Sequence, residues 1–219
     1  MSVYKLDENN FEFPEYADDE NAIAIGGVLN TETLIKAYSN GVFPYYYPNE
    51  EMSWWRPLNR YVIFPQNIKI SHSMKSVLNQ KIFKVTFNKN FSEIIHKCRK
   101  KREYTEEGTW INDDIESAYN KLFEKGFGFS VEVWKDDELA GGLYGVELGK
   151  CLFAESMYYD ITNASKMAMI SLAQKALAEN YLFIDCQFYT KHLESLGGEF
   201  IPHNKFFSLI NEGVKYISH

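Results

Sequence analysis

Leu152-Phe153-Ala154-Glu155-Ser156-Met157 and Leu182-Phe183-Ile184-Asp185-Cys186-Gln187 are the two stretches that decide the fold. Each is a mostly apolar, strand-like run that ends in carboxylate and amide chemistry. Between them, Asn163 to Asn180 has helical periodicity. Asn163 suits an N-cap, and Met169, Leu172, Ala173, Ala176 and Leu177 fall at the i, i+3, i+4, i+7 and i+8 positions of one face. Strand, helix, strand is the βαβ crossover, so the two strands are expected to be parallel, with their C-terminal ends pointing the same way. In open α/β sheets that end is where ligands bind.

Upstream, Phe129 to Lys135, Leu139 to Glu147 and Cys151 to Glu155 alternate like strands of an antiparallel meander, with turns at Asp136-Asp137 and Leu148-Gly149. Tyr61 to Phe64 and Lys84 to Phe87 are two more candidate strands. Phe91 to Arg102 and Asn112 to Lys125 are candidate helices, the second with Asn112 as N-cap, acids in its first turn and Gly126 past its end. Glu106 to Ile111 forms a loop leading straight into that helix. Downstream lie a short helix from Thr190 to Leu196, a Gly197-Gly198 turn and a last amphipathic helix from about Asn204 to Tyr216.

The first sixty residues differ from the rest. A short helix with Thr31 as N-cap, Leu34, Ala37 and Tyr38 inward and Gly41 as C-cap precedes Val42-Phe43-Pro44-Tyr45-Tyr46-Tyr47-Pro48, where the prolines argue against regular structure. Aromatics this dense, continued by Trp54-Trp55-Arg56-Pro57, belong to a packed core or to a binding wall. The expected organisation is a small aromatic-rich N-terminal domain, residues 1–59, and a catalytic domain, residues 60–219. The fold class is mixed α/β: an acetyltransferase-like mixed sheet with a C-terminal βαβ crossover. An acyl-CoA pyrophosphate would need a Gly-rich turn at the start of the crossover helix. Tyr158 to Asn163 has no glycine and carries Asp160, so such a donor is not expected.

Composition bounds the function. The 219 residues, 45% of them hydrophobic, can bury an ordinary core. No run approaches the roughly 18 apolar residues of a membrane-spanning helix, and the acidic N-terminus lacks the features of a signal peptide, so the cytoplasm is the expected compartment. Cys98, Cys151 and Cys186 are odd in number and far apart, and the five histidines are scattered, which argues against a disulfide framework and a metal site. The net charge is -7, yet Gln66 to Arg102 holds ten Lys or Arg against the single acid Glu93. A local excess of this kind suits a polyanion-binding face. A solvated helix face explains it equally well on charge alone.

Short motifs run almost end to end: Gly26-Gly27, Tyr38 to Pro44 (YSNGVFP), Trp54-Trp55-Arg56-Pro57, Ser73-Met74-Lys75, Glu107 to Ile111 (EGTWI), Val131 to Trp134 within SVEVW, Gly141 to Val146 (GGLYGV), Glu155-Ser156-Met157, Asn163 to Lys166 (NASK), Asp185-Cys186-Gln187 and His192 to Gly197 (HLESLG). In this order and spacing the chain resembles the leucyl/phenylalanyl-tRNA-protein transferases. The resemblance implies a monomeric cytosolic enzyme with no cofactor, metal or ATP. Such an enzyme moves Leu, Phe or sometimes Met from aminoacyl-tRNA onto a protein's N-terminal Arg or Lys and marks that protein for degradation.

Aminolysis of an activated ester needs a neutral amine, a group to orient and deprotonate it, and stabilisation of the developing oxyanion. Asp185 and Gln187 are two apart on the expected strand, which predicts side chains on one face. The Asp185 carboxylate would accept from the Gln187 amide NH2 and leave its carbonyl oxygen to hold the incoming amine, a relay also implied by the family. Glu155, at the adjacent strand end, would orient Gln187 or bind an ammonium group, unless it is a buried structural acid. By position, the family's aminoacyl pocket maps onto Trp110, Met157, Leu143, Leu152, Met169, Leu172, Ala176 and Ile184, with Tyr45 on the N-terminal side. Tyr45 stands where family members usually have Trp, and Leu172 and Ala176 where they have aromatics, which implies a wider pocket. Phe129 replaces a common His. The same resemblance assigns Lys75, Lys81 and Lys84 to the tRNA acceptor stem. Two alternatives share these features: transfer to a cell-wall precursor or small amine, and a non-catalytic RNA-binding protein that uses Trp110 as a stacking platform.

Overall fold

The first four strands are short and build a sheet of their own. The computed structural model describes residues 4–7, 11–103 and 108–217. In it β1 (Tyr4–Leu6), β2 (Ala24–Gly26), β3 (Phe43–Pro44) and β4 (Ser53–Trp55) assemble in the order β1-β2-β4-β3. Pro44 was expected to exclude regular structure. It sits at the end of an edge strand, where a missing N–H disturbs no ladder. Helix α1 (Thr31–Ser39) is capped by Asn30, whose side chain accepts from Thr33 N–H, one residue before the expected Thr31.

The remaining strands form a seven-stranded mixed sheet: β5 (Asn59–Ile63), β6 (Lys84–Phe87), β7 (Gly128–Lys135), β8 (Glu138–Leu148), β9 (Cys151–Tyr159), β10 (Phe183–Asp185) and β11 (Glu199–Pro202), in the order β11-β5-β10-β9-β8-β7-β6. The meander β7-β8-β9 is antiparallel, and its first turn is made by Asp136 and Asp137, both in the left-handed region. β10 pairs with β9 in parallel, Ile184 opposite Leu152, as the crossover requires. β11 was not anticipated. Its four residues follow the Gly197-Gly198 turn without a longer alternating pattern, and only pairing with β5 makes them a strand.

Helices cover both faces. On one lie α1, α3 (Phe91–Glu103), α4 (Asp113–Glu124) and α7 (His203–Gly213), with Leu34, Ile94, Ile115, Phe153 and Phe206 buried between. On the other lie α2 (His72–Gln80), α5 (Ala164–Ala178) and the short α6 (Lys191–Ser195), packing Met74, Leu143, Leu152, Leu172 and Ile184. Each such side chain contributes about 1.5–3 kcal/mol of transfer free energy. The N-terminal residues share the first of these cores: the Tyr38 ring lies 4.9 Å from Phe153 and 6.5 Å from Tyr119. The α5 stripe is buried at Met169, Leu172, Ala173 and Ala176, while Leu177 is exposed. Asn163 occupies the N-cap position but adopts a left-handed conformation and makes no side-chain capping bond.

Candidate active site

Glu155 sits at an irregularity in the ladder. Along β8 and β9, Tyr144 pairs with Ser156 and Gly145 with Ala154, so Glu155 is the extra residue of a β-bulge. Gly145 makes this possible. A Cβ there would stand 2.1 Å from the Phe153 carbonyl oxygen and 2.7 Å from the Phe129 ring. Alternation from Phe153 puts Glu155 on the helix α4 side, and the bulge turns Ser156 to that side as well; there Tyr119 Oη donates to Glu155 Oε2 at 3.3 Å and Tyr38 also hydrogen-bonds the carboxyl, and the two phenols are bonded to each other. Burial pushes the Glu155 carboxyl up to about 8, and the hydrogen bonds from Tyr38 and Tyr119 only partly offset it. The same burial raises both phenols well above their ordinary range, so they remain donors.

Asp185 is in a different situation. Its carboxylate is fully buried and takes Arg60 Nε at 2.8 and 3.0 Å and Nη2 at 2.6 Å. The Arg60 guanidinium lies between the rings of Phe43 and Phe206, 4.6 Å from each centroid, and gives Nη1 to the Gly41 carbonyl. Asp185 also accepts the backbone N–H of Gln187 at 2.9 Å. The expected bond from the Gln187 side chain to Asp185 does not form, because β10 ends at Asp185 and Gln187 adopts a left-handed backbone with φ 57°. Period-two alternation stops there. The Gln187 amide Nε2 donates instead to Glu155 Oε1 at 2.8 Å. The amide thus bonds Glu155, one of the two contacts expected of that acid, and the Gln187 carbonyl oxygen can accept from an amine.

Glu155 and Gln187 open on a cavity of about 580 Å³, the size of a small-molecule site. Of the expected pocket residues, Tyr45, Trp110, Met157 and Met169 line it. Trp110 is buried against Tyr45, with ring centroids 5.9 Å apart. Phe43 and Phe188, 5.5 Å apart, extend this aromatic wall, and Ser165, Thr190, His192 and Leu193 also line the cavity. Leu143, Leu152, Leu172, Ala176 and Ile184 are packed in the core behind Met157 and Met169. Leu152 and Leu172 also border a much smaller void beside Phe129. Lys75 on α2, Lys81 just past its end and Lys84 on β6 are exposed, and β6 lies three strand spacings of about 4.8 Å from β9. Glu106 and Glu107 of the loop before Trp110 lie outside the described residues.

Sequence patterns missed Arg60, Tyr119 and Phe188. Arg60 meets Asp185 across 125 residues, a pairing with no local signature. Tyr38 was legible only as an inward-facing helix residue.

A proton acceptor beside an amide oxygen that can hold an amine, at the mouth of an apolar cavity, is the equipment of an enzyme that transfers acyl groups to amines. That class is the one the fold and the site define together. Residues 62–211 match the model of the leucyl/phenylalanyl-tRNA protein transferase family, and residues 27–58 match that of its N-terminal domain. A leucyl/phenylalanyl-tRNA--protein transferase of Syntrophus aciditrophicus is 44% identical over 91% of this chain and 83% of that protein. One from Flavobacterium johnsoniae is 46% identical over 89% and 92%. The chain belongs to this family. Among solved structures it is similar to a GCN5-related N-acetyltransferase from Kribbella flavida, with 8% identity, 82% of this chain and 63% of that one covered, and a TM-score of 0.42. A likeness of that size carries no argument about the site.

Proposed function

We propose that this protein transfers Leu or Phe from aminoacyl-tRNA to the α-amine of proteins beginning with Arg or Lys, as a monomer in the cytoplasm, and so marks them for degradation. The observation that carries this is the Glu155 to Gln187 hydrogen bond at the mouth of the aromatic cavity. Tyr45, Trp110, Met157 and Met169 would receive the donor side chain, with Leu143, Leu152, Leu172, Ala176 and Ile184 as the packed bed behind them. Such apolar sites separate neighbouring hydrophobes by only about 1–3 kcal/mol per methylene, which fits a donor range of Leu, Phe and Met.

Gln187 Oε1 accepts from the acceptor amine and aims its lone pair at the ester carbon. As the C–N bond forms, Glu155 takes the proton from nitrogen; as the C–O bond to the terminal ribose breaks, it returns that proton to the departing hydroxyl. Protons balance, and the ester supplies the free energy. Asp185 and Arg60 hold the backbone from which Gln187 projects. Lys75, Lys81 and Lys84 contact acceptor-stem phosphates, with salt-dependent affinity and little regard for base sequence.

Purified protein, charged Leu- or Phe-tRNA and labelled peptides beginning with Arg, Lys or Ala provide the test. Transfer to the Arg and Lys peptides without ATP is expected. No product from either donor on any basic N-terminus would overturn the proposal.

A further inference from the structure

β9 runs for 9 residues and its parallel neighbour β10 for only 3. The two stay paired as far as Phe153 and Asp185. Leu182 N–H bonds the Lys150 carbonyl at 2.9 Å, so before the bulge the even-numbered residues of β9 turn their backbone groups toward β10. Beyond Asp185 the chain leans the other way. Cys186 N–H, next in line for β9, goes to the Tyr61 carbonyl of β5 at 2.9 Å, and Tyr61 N–H bonds the Gln187 carbonyl at 3.3 Å. Past the bulge the facing of β9 reverses. Asp160 N–H bonds the Ala140 carbonyl at 2.9 Å, and with Tyr158 opposite Gly142 and Ser156 opposite Tyr144 the even residues now face β8. The Ser156 hydroxyl accepts Arg102 Nε at 3.1 Å on the α3 side. Met157 and Tyr159 therefore turn N–H and C=O to the side that β10 has left, and among the described residues no hydrogen bond reaches those groups. The opening is the cavity itself, lined by Ala154 to Met157 and Tyr159 of β9 and by Cys186 to Phe188 just past β10.

We propose that the first residues of the acceptor polypeptide lie in this opening as an added parallel strand, bonded to the backbone of Met157 and Tyr159. This rests on the transfer reaction proposed above and names how its acceptor is held. Gln187 and Glu155 fix where the reacting amine must be, and the open backbone groups begin two residues beyond Glu155 on the same strand. A chain held there by its amino end and running along β9 leaves the protein at Tyr159, which is 51% exposed, so a folded acceptor needs only a short extended terminus. Met157 and Tyr159 repeat at roughly 6.6 Å, the spacing at which alternate residues of an extended polypeptide present N–H and C=O together. The donor's end offers one amine, one ester and a ribose, with no such repeat. In a parallel pair each residue bonds the two that flank its opposite number. Met157 N–H then gives to the carbonyl of acceptor residue 1 and its own carbonyl accepts from the N–H of residue 3, while Tyr159 does the same for residues 3 and 5. Main-chain bonding of this kind supplies affinity whatever side chains follow the first residue.

Acceptors with altered backbones test the proposal, with Phe-tRNA as donor: argininamide, a hexapeptide beginning with Arg, and the same hexapeptide N-methylated at one residue at a time. Methylation at residue 3 or 5 is expected to lower kcat/KM roughly three- to tenfold, the effect of one lost hydrogen bond, and methylation at residue 2 or 4 to change it less than about twofold. Argininamide should be a poorer acceptor than the hexapeptide by about tenfold or more, since it lacks the bonds of residues 3 and 5. Tyr159→Pro removes one open N–H and no ladder bond, so it should cut the hexapeptide's advantage over argininamide about threefold, whereas Tyr159→Ala, which keeps the N–H, should retain it. Methylation that costs nothing at any position, or the same at all of them, overturns the proposal, as does argininamide used as well as the hexapeptide. A Tyr159→Pro protein whose KM rises for Phe-tRNA and not for the hexapeptide also overturns it, and places the donor's end in the opening. Failure of the unsubstituted protein to modify any of these acceptors would instead overturn the transfer reaction beneath it.

Discussion

The ends of β9 and β10 carry one carboxylate each, and the fold treats them in opposite ways. Asp185 is given a guanidinium on both oxygens and a backbone N–H, while Glu155 is given two phenols and an amide, none of them charged. The first arrangement fixes an ionised group in place. The second keeps a carboxyl near the pH at which it can both take and release a proton. In the proposed mechanism one acid therefore positions and the other reacts, although local sequence presents them as equivalent apolar runs ending in an acid.

The largest effect should come from breaking the positioning acid. Removing one member of a buried ion pair strands the other charge, so Arg60→Ala or Asp185→Ala should cost about 3–5 kcal/mol in urea unfolding. An apolar pair, Arg60→Met with Asp185→Leu, should recover most of that stability yet leave transfer slow, because the anchor of the Gln187 backbone is gone. Full recovery of activity in the double variant would contradict the positioning role.

Next in size, Glu155→Gln should slow turnover by about 10²–10⁴-fold, the usual contribution of a positioned base. Well below pH 8 the parent's log(kcat/KM) should climb with a slope of two, since a carboxylate must ionise and an amine with a pKa near 8 must lose its proton. The variant should show a slope of one. Stability moves the other way. Between about pH 4.5 and 8 the folded protein retains a proton that the unfolded chain releases, so stability falls as pH rises through this window. Glu155→Gln should therefore melt higher than the parent at pH 9 and show no such advantage at pH 4.

The smallest effect probes the phenols. Tyr119 Oη stabilises the ionised Glu155, so Tyr119→Phe should move the midpoint of the pH-rate profile upward by about half a unit to one unit, in line with a net hydrogen bond of 0.5–1.5 kcal/mol. A downward shift would show that the phenol favours the protonated acid.

What could be read from the chain follows from how local the cause was. The meander, the crossover and the cap at Asn112 depend on neighbours within a few residues, and they stand where spacing put them. Glu155 and Gln187 were found together because strand ends beside a crossover converge, and the resemblance to the family added Trp110 and Met157. Two things escaped: β11 exists only through its pairing with β5, and Arg60 matters only through a partner on a distant strand. The bond from Gln187 to Glu155 was one of the roles expected of Glu155, but its replacing the Asp185 bond was not legible, because it depends on a left-handed residue after a strand that stops early, where no glycine marks the turn.

The bulge at Glu155 also sets the parity of β9. Upstream, Leu152 and Ala154 face α5 and Phe153 faces the other helical layer; downstream, Met157 faces α5 and Tyr158 the other layer. Without the inserted residue, Met157 would lie on the side of Arg102, and Ser156 would point at α5. Deleting one residue here would exchange apolar wall and polar lip along the rest of the strand, so an odd insertion gives one strand both a greasy floor and a hydrogen-bonding rim at the same end.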